Sequence, residues 1–301
     1  MKNHIKLKYT LIIPIIILFS FLIKSLCSSS NFFNVSSKKS DNKVYTNHKS
    51  ENNVSQKSQK KEAKVVKKTS IEDKTDFTIN KVNYTEKSSG GKDIKIYIWG
   101  KDNAKNKISI LGSMHGDEPQ GKYIIEKLMK YINNNPKTIE NLQIMFIPLV
   151  NPDGLEKCTR VNLNKIDLNR NFPTKNWKEG KKNSRYYSGS KKASEPEVNM
   201  LINYIGKFNP QYIINIHSPL KVVNYDGQDG EKIAKIIAKH NNYKVVGDIG
   251  YPTPGSLGTY FGKERNIPVI TLETSEEDGE MTWRENKDGI LEVLNYMNNK
   301  S

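Results

Sequence analysis

The sequence predicts an α/β fold, with helices on both faces of a mixed central sheet in a three-layer α/β/α arrangement. Two observations support this: short apolar runs rich in β-branched residues are typical of buried strands, and they alternate along the chain with amphipathic segments of helical period. The predicted strands are Ile94–Trp99, Ile108–Leu111, Leu142–Val150, Tyr212–Ile216, Tyr243–Val246 and Ile267–Leu272. The predicted helices are Tyr123–Ile132, Glu197–Phe208, Lys232–His240 and Asp288–Met297, with Ser194 and Glu197 as a capping box for the second.

The first 75 residues are predicted to lie outside this fold. The apolar run from Leu11 to Ile23 is shorter than the ~20 residues that span a bilayer, and lysines precede it. Residues 1–27 are therefore predicted to be a signal peptide or an uncleaved membrane anchor, and the protein to be exported. Residues 28–75 are rich in Lys, Ser and Asn and predict a disordered linker, while residues 76–301 are sufficient for one substantial domain with a sizeable core.

The chain carries a net charge of +16, of which +10 falls in residues 1–82, where there are sixteen lysines, no arginine and six acids. Such a basic linker could contact anionic wall polymers or a membrane surface, or simply remain solvated. It lacks aromatic interleaving and any recognisable nucleic-acid module, so no nucleic-acid partner is expected. A monomer is expected.

A metal site is predicted from two histidines and one glutamate. His115 and Glu118 follow a predicted buried strand, and Gly116 between them relaxes the backbone. His217 ends another predicted strand, and open α/β sheets place their sites at the carboxyl ends of strands. Two imidazoles and one carboxylate suit a hydrolytic Zn²⁺, because they leave one position open for water. Alone, His217 would be read as a core histidine bonded to backbone, and the pair His115 and Glu118 as a chance match, since such pairs are common.

Three charged residues complete the predicted chemistry. Arg160 and Arg170 lie in a loop-rich stretch, where they could grip a carboxylate or stabilise an oxyanion, which indicates an anionic substrate. Solvated surface charge is the alternative for both. Glu273 ends a third predicted strand and could act as a general base at the same sheet edge.

Taken in order, these segments resemble the zinc metallocarboxypeptidase family from about residue 90 to residue 290. The matching motifs are HGDE at 115–118, NPDG at 151–154, DLNRNF at 167–172, IHS at 216–218 and TLE at 271–273. The resemblance implies the zinc-carboxypeptidase, phosphorylase/hydrolase-like fold, with one Zn²⁺ per chain bound by His115, Glu118 and His217.

The same resemblance assigns roles to the other site residues. Glu273 would be the general base and Arg160 would polarise the scissile carbonyl, while Asn169 and Arg170 would hold a substrate carboxylate. A mobile tyrosine that closes over substrate would be Tyr251, with Tyr260 as the rival. The pocket that sets side-chain preference would lie near Leu257 and Gly258; neither is charged, so a carboxypeptidase directed at lysine or arginine is not expected.

Within the family, RYY at 185–187, SEPE at 194–197 and YPTPGSLG at 251–258 resemble a bacterial branch that cuts the γ-D-glutamyl to diaminopimelate bond of cell-wall peptides. Asp117 stands where digestive members carry an arginine, and it could meet an ammonium such as the second amine of diaminopimelate. The alternatives are an ordinary carboxypeptidase on protein C-termini, a deacylase of small N-acyl amino acids and a non-catalytic wall-binding protein.

Overall fold

The computed structural model describes residues 77–300, which form an eight-stranded mixed sheet with helices on both faces. The strands are β1 (Asn80–Lys87), β2 (Asp93–Gly100), β3 (Asn106–Gly112), β4 (Leu142–Ile147), β5 (Tyr212–His217), β6 (Val222–Asp226), β7 (Lys244–Val246) and β8 (Val269–Glu273). The helices are α1 (Gln120–Asn134), α2 (Pro152–Glu156), α3 (Pro196–Phe208), α4 (Gly230–Asn241) and α5 (Gly279–Asn298). Short 3₁₀ turns at Pro136–Ile139 and Leu168–Arg170 and a π-helix at Gly258–Lys263 complete the structure.

The sheet has the strand order β1-β2-β4-β3-β5-β8-β6-β7. Its centre, β4-β3-β5-β8, is parallel, whereas β2 and β6 flank this core in antiparallel orientation. The central strands are buried on both faces, which explains why they read as continuous apolar runs. Their parallel alignment brings the carboxyl ends of β3, β5 and β8 to one edge of the sheet.

Alternate residues of each strand supply two separate cores. On one face, Ile108, Ile110 and Ile214 pack with apolar residues of α1, α4 and α5. On the other face, Leu111 and Ile213 pack with α3 and with residues of the loops that form the site. The predicted three-layer α/β/α class is therefore confirmed.

All six predicted strands and four predicted helices are present, but the edge strand β1 and the inner strand β6 were missed. β1 is almost entirely exposed and β6 is only five residues long, so neither carries the apolar run of a central strand. β4 ends at Ile147, earlier than expected, and α5 begins at Gly279 rather than at residue 288. Its first turns bury Gly279, Thr282 and Asn286 and only one large apolar side chain, Trp283, which hides the helical period.

The predicted capping box before α3 is wrong. Glu195 occupies the N-cap position without a side-chain cap, and Glu197 instead accepts hydrogen bonds from the backbone N–H and hydroxyl of Ser89 at 2.8 Å. The predicted signal segment and linker lie outside the described residues. Within residues 77–300, no helix combines the length and apolar character needed to cross a membrane.

Candidate metal centre and active site

The predicted metal ligands come together at the carboxyl edge of the central strands. His115 and Glu118 lie in the loop between β3 and α1, and His217 is the last residue of β5. Gly112 at the end of β3 pairs with Ile216, so the loop after β3 starts beside His217. All three side chains are buried.

The distances among these side chains match the donor set of one metal ion. His217 Nδ1 lies 3.0 Å from His115 Nδ1 and 2.7 Å from Glu118 Oε2, and His115 Nδ1 lies 2.9 Å from Glu118 Oε1. Two ligands of a tetrahedral Zn²⁺, each about 2.0–2.1 Å from the ion, are separated by about 3.3 Å. The three donors form a buried group with one ligand atom each within 4.8 Å of the others, so a small contraction or expansion suffices to hold the ion.

The charge state of Glu118 suits metal binding. Burial alone would raise the pKa of this carboxyl, but the neighbouring imidazoles of His115 and His217 hold its pKa well below the usual range. Glu118 therefore remains ionised at neutral pH, as a metal ligand must be.

A second carboxylate, Asp167, orients the first histidine. Its Oδ1 lies 3.2 Å from His115 Nε2 and its Oδ2 accepts from Arg160 Nε at 2.9 Å. Burial would raise the pKa of Asp167, but Arg160 and His115 hold it well below its usual range. A carboxylate behind a ligating histidine fixes the ring orientation and raises the basicity of the ligand. Asp167 is the first residue of the DLNRNF motif at 167–172, but the motif alone did not reveal this role.

Asn215 completes the surroundings of the second histidine and supplies a test of the metal assignment. Its Nδ2 lies 2.7 Å from His217 Nε2, while its Oδ1 is buried with no hydrogen-bond partner within residues 77–300. When His217 gives Nδ1 to a metal, its Nε2 carries a proton and must donate. A half-turn of the Asn215 amide brings Oδ1 to that proton and pairs both groups. The unpaired oxygen thus fits an occupied metal site.

Arg160 reaches the metal ligands directly. Its Nη1 donates to Glu118 Oε1 at 3.3 Å while its Nε holds Asp167. The side chain is 12% exposed, so its charge acts in surroundings of low dielectric constant. This position suits the predicted role of polarising a carbonyl beside the metal.

Asn169 and Arg170 lie next to each other in the 3₁₀ turn at Leu168–Arg170. Asn169 Oδ1 accepts from the backbone N–H of Leu257 at 2.9 Å, which directs its amide N–H donors elsewhere. Arg170 is buried, and its Nη1 donates to the Asn169 carbonyl at 2.7 Å. The pair offers adjacent N–H donors to an anionic group.

Glu273 lies across from the metal ligands on the neighbouring strand. It is the last residue of β8 and the register partner of His217. Desolvation raises the pKa of Glu273 to about 7; the negative charge of Glu118 also raises it, whereas His217 and Arg160 oppose the increase. A carboxyl that titrates near neutrality is suited to general base catalysis.

Two tyrosines border the site from the solvent side. Tyr251 is 45% exposed, and Arg160, Arg170 and Glu273 are among its charged neighbours. Tyr186, which the sequence analysis gave no role, lies over Arg160 at 5.2 Å and over Arg170 at 5.8 Å from ring centroid to guanidinium carbon.

Tyr260 is not a rival for the closing tyrosine. It is buried against Phe172 and Phe261, with the guanidinium of Arg265 over its ring at 3.3 Å. A buried side chain in contact with these two rings and with Arg265 cannot swing over a substrate without opening the core.

The expected pocket segment differs from the prediction in two ways. The Leu257 side chain is fully buried in the core, so Leu257 meets the site through its backbone N–H. An acidic side chain also lies beside Gly258. A Cβ added at this glycine would stand only 2.0 Å from Asp226 Oδ2. Asp226 ends β6, and its Oδ1 pairs with Lys263 at 2.9 Å. Asp226 lies 32 positions before Gly258 along the chain, so motif spacing did not reveal that the two are in contact.

Asp117 has a different partner from the one expected. Its Oδ2 accepts from Arg185 Nη1 at 2.7 Å, and the carboxylate is only 6% exposed. The expectation that Asp117 receives a substrate ammonium is therefore wrong for this structure, since its accessible oxygen already binds a cation of the chain.

Comparison with known proteins agrees with this geometry. The zinc carboxypeptidase family of peptidases, M14, matches residues 78–291. Murein peptide amidase A of Vibrio campbellii is 34% identical over 198 residues, covering 62% of this chain and 77% of that protein. Its Escherichia coli K12 counterpart is 32% identical over 175 residues, covering 54% and 69%.

Solved structures show the same fold. Murein-tripeptide amidase from Escherichia coli O157 superposes with a TM-score of 0.56 at 24% identity, covering 73% of this chain and 92% of that chain. Carboxypeptidase A from Helicoverpa armigera gives a TM-score of 0.61 at 19% identity, covering 72% and 68%.

Proposed function

This chain belongs to the zinc carboxypeptidase family and is a zinc-dependent hydrolase of peptides, and we propose that it cleaves murein peptides at a bond next to a free carboxylate. The γ-D-glutamyl to diaminopimelate bond is the proposed target. The observation that carries the proposal is the alignment of His115, Glu118 and His217 with Glu273 at one sheet edge, in a chain whose curated relatives are named murein peptide amidase A.

The residues of the site divide the work of hydrolysis among them. Zinc, when bound by His115, Glu118 and His217, supplies a Lewis acid that polarises the scissile carbonyl and activates water. Glu273, with its raised pKa, accepts the proton of the attacking water and returns it to the leaving amine. Arg160 stabilises the negative charge that develops on the carbonyl oxygen.

Substrate is positioned by the donors beside this centre. The Asn169 amide and the Arg170 guanidinium bind the terminal carboxylate of the leaving residue. Tyr251, half exposed and next to Arg170 and Glu273, covers the bound substrate and excludes water.

An acid near the pocket segment fits a leaving residue that carries an extra ammonium group. Asp226 packs against Gly258. The preceding residue, Leu257, donates its backbone N–H to Asn169 Oδ1. Diaminopimelate has a second amine at the far end of its side chain, whereas a hydrophobic C-terminal residue has none. Asp226 pairs with Lys263 through Oδ1 and turns its other oxygen, Oδ2, toward Gly258, so the carboxylate favours the former.

Export to the cell-wall face is part of the proposal. It is supported by the lysines and short apolar run that precede residue 24 and by the basic, polar composition up to residue 75. A polymeric target outside the membrane matches such a leader and tether. Retention of a fused reporter in the cytoplasm when it carries residues 1–75 would contradict this part.

The substrate is tested by direct competition. The zinc-loaded protein is incubated with L-Ala-γ-D-Glu-diaminopimelate, with a peptide ending in a hydrophobic residue and with an N-acyl amino acid, and products are followed by mass spectrometry. Selective release of diaminopimelate is expected, and Glu273→Gln should release none. Selective release of the hydrophobic residue would make this an ordinary carboxypeptidase, and cleavage of the acyl amino acid alone would make it a deacylase.

A further inference from the structure

The ion pair between Asp117 and Arg185 lies beside the metal centre but has no part in the mechanism above. Asp117 is buried, and its Oδ1 has no hydrogen-bond partner within the described part of the chain. Its charge is therefore compensated chiefly by Arg185, which approaches Oδ2 at 2.7 Å. The Arg185 side chain is itself 36% exposed, so a buried carboxylate fixes a guanidinium that solutes can reach.

A guanidinium held in this way is suited to bind a carboxylate. Arginine offers five N–H donors in a planar fork, and Asp117 contacts Nη1, which leaves donors on the other nitrogens. Because Asp117 restricts its side chain, less conformational entropy is lost when a second anion binds.

The charged groups place Arg185 on one particular side of the reacting bond. Arg160 donates through Nη1 to Glu118, the residue after Asp117, at 3.3 Å, and through Nε to Asp167 at 2.9 Å. Arg170 lies three residues after Asp167, in the 3₁₀ turn that the Asp167 carboxylate caps. Arg160 therefore lies between the Asp117–Arg185 pair and Arg170.

The order of these three arginines orients a bound substrate. When the terminal carboxylate lies at Arg170 and the scissile carbonyl at Arg160, the acyl part of the substrate extends toward Arg185. In a γ-linked glutamyl donor, the acyl residue keeps its α-carboxylate free, whereas an α-linked peptide has no carboxylate on the backbone there. A cation at this position distinguishes the two linkages.

We propose that Arg185 binds the free α-carboxylate of a γ-linked acyl residue, and that Asp117 positions Arg185 for this contact. The inference rests on the proposed function, since it names the feature of the substrate that selects γ-linked peptides. Asp117 acts through Arg185 and does not itself contact the substrate.

The test compares two substrates that differ at one group. L-Ala-γ-D-Glu-diaminopimelate carries the free α-carboxylate, and L-Ala-γ-D-isoglutaminyl-diaminopimelate carries an α-amide in its place. We expect the wild-type kcat/KM to be about 10- to 100-fold higher for the carboxylate, the range of a charge-assisted hydrogen bond. Arg185→Gln should reduce this ratio to near one, by lowering kcat/KM for the carboxylate and not for the amide.

Two further variants separate positioning from general damage. Asp117→Asn should reduce the same ratio while zinc affinity, measured by chelator competition, stays at the wild-type value. Arg284→Gln is the matched control, because Arg284 is a 70% exposed arginine on α5 that pairs with Glu280. It should leave the ratio unchanged, and melting temperatures verify that each variant is folded.

A binding measurement keeps the inference testable if the tripeptide is not cleaved. Calorimetry with L-Ala-D-Glu and L-Ala-D-isoglutamine, on zinc-loaded wild type and Arg185→Gln, measures the α-carboxylate preference without turnover. If Arg185→Gln loses this preference, the inference is supported. This holds even if the tripeptide is not cleaved and the murein substrate is refuted. A wild type without preference, or an Arg185→Gln protein that retains it, overturns the inference and leaves the proposed function standing if the tripeptide is cleaved.

Discussion

Replacing Asn215 by leucine should weaken zinc binding without touching a metal ligand. Asn215 lies 2.7 Å from His217 Nε2, and it is the group available to accept the Nε2 proton when Nδ1 binds the metal. Leucine has a similar volume and no acceptor, so the buried N–H of the liganded His217 loses its partner. An unsatisfied buried donor costs about 1–3 kcal/mol. This corresponds to a loss of about 10- to 100-fold in zinc affinity, the range found when such outer partners are removed.

The loss can be measured in two independent ways. Competition with a chelator gives the dissociation constant directly. The melting temperature with and without zinc gives it again: at zinc concentrations about 1,000 times the wild-type Kd, binding stabilises the fold by about 4 kcal/mol. At the same zinc concentration, a 10- to 100-fold weaker variant should retain only about 1.4–2.7 kcal/mol of that stabilisation.

Two variants control for the loss of a buried amide. Asn215→Asp keeps an acceptor and should bind zinc at least as tightly as the wild type. Asn224→Leu removes a buried asparagine of β6 that donates to the Val246 carbonyl at 2.9 Å, away from the ligands. It should lower stability equally with and without zinc. If Asn215→Leu keeps the wild-type zinc affinity, the assignment of Asn215 as the partner of His217 is refuted.

Three other predictions concern the reacting groups. Glu273→Gln should lower kcat about 10²- to 10⁴-fold with zinc content unchanged, since it removes the base and no ligand; loss of zinc on this change would contradict the assignment. Because the base must be deprotonated, kcat/KM should fall tenfold per pH unit below the pKa of Glu273, which is about 7 without the metal and lower beside the cation. A flat profile from pH 4 to 8 would exclude Glu273 as the base. Arg160→Gln should lower kcat about 10²- to 10³-fold by removing an oxyanion donor, as single-turnover rates would show; an unchanged rate would place the carbonyl elsewhere.

The strand ends that carry the site could be predicted because they belong to the buried centre of the sheet. β3, β5 and β8 are adjacent and parallel, so their apolar runs are continuous and their polar final residues stand out. Edge strand β1 faces solvent and has no such contrast. The start of α5 was missed for a related reason, since Gly279, Thr282 and Asn286 occupy most of its buried positions and Trp283 is the one large apolar residue among them.

The partners of the ligands could not be predicted from the sequence. Asp167 and Asn215 were visible in the motif and in the strand, but their roles depend on which ring nitrogen each one meets. Arg185 and Asp226 lie far along the chain from Asp117 and Gly258, and only the fold places them in contact. Motif spacing constrains neighbours along the chain, whereas these contacts are formed across loops.

The distribution of cations explains which carboxylate is the base. Asp117 pairs with Arg185, Asp167 pairs with Arg160, and Glu118 lies between two histidines and Arg160. Glu273, by contrast, has no cation within 4.0 Å among residues 77–300. Burial raises the pKa of both Glu118 and Glu273, but the imidazoles of His115 and His217 hold the pKa of Glu118 well below its usual range, whereas that of Glu273 stays raised. A permanently ionised ligand and a proton acceptor near neutrality are the two carboxylates that metal-assisted hydrolysis requires, and the positions of the two histidines determine which is which.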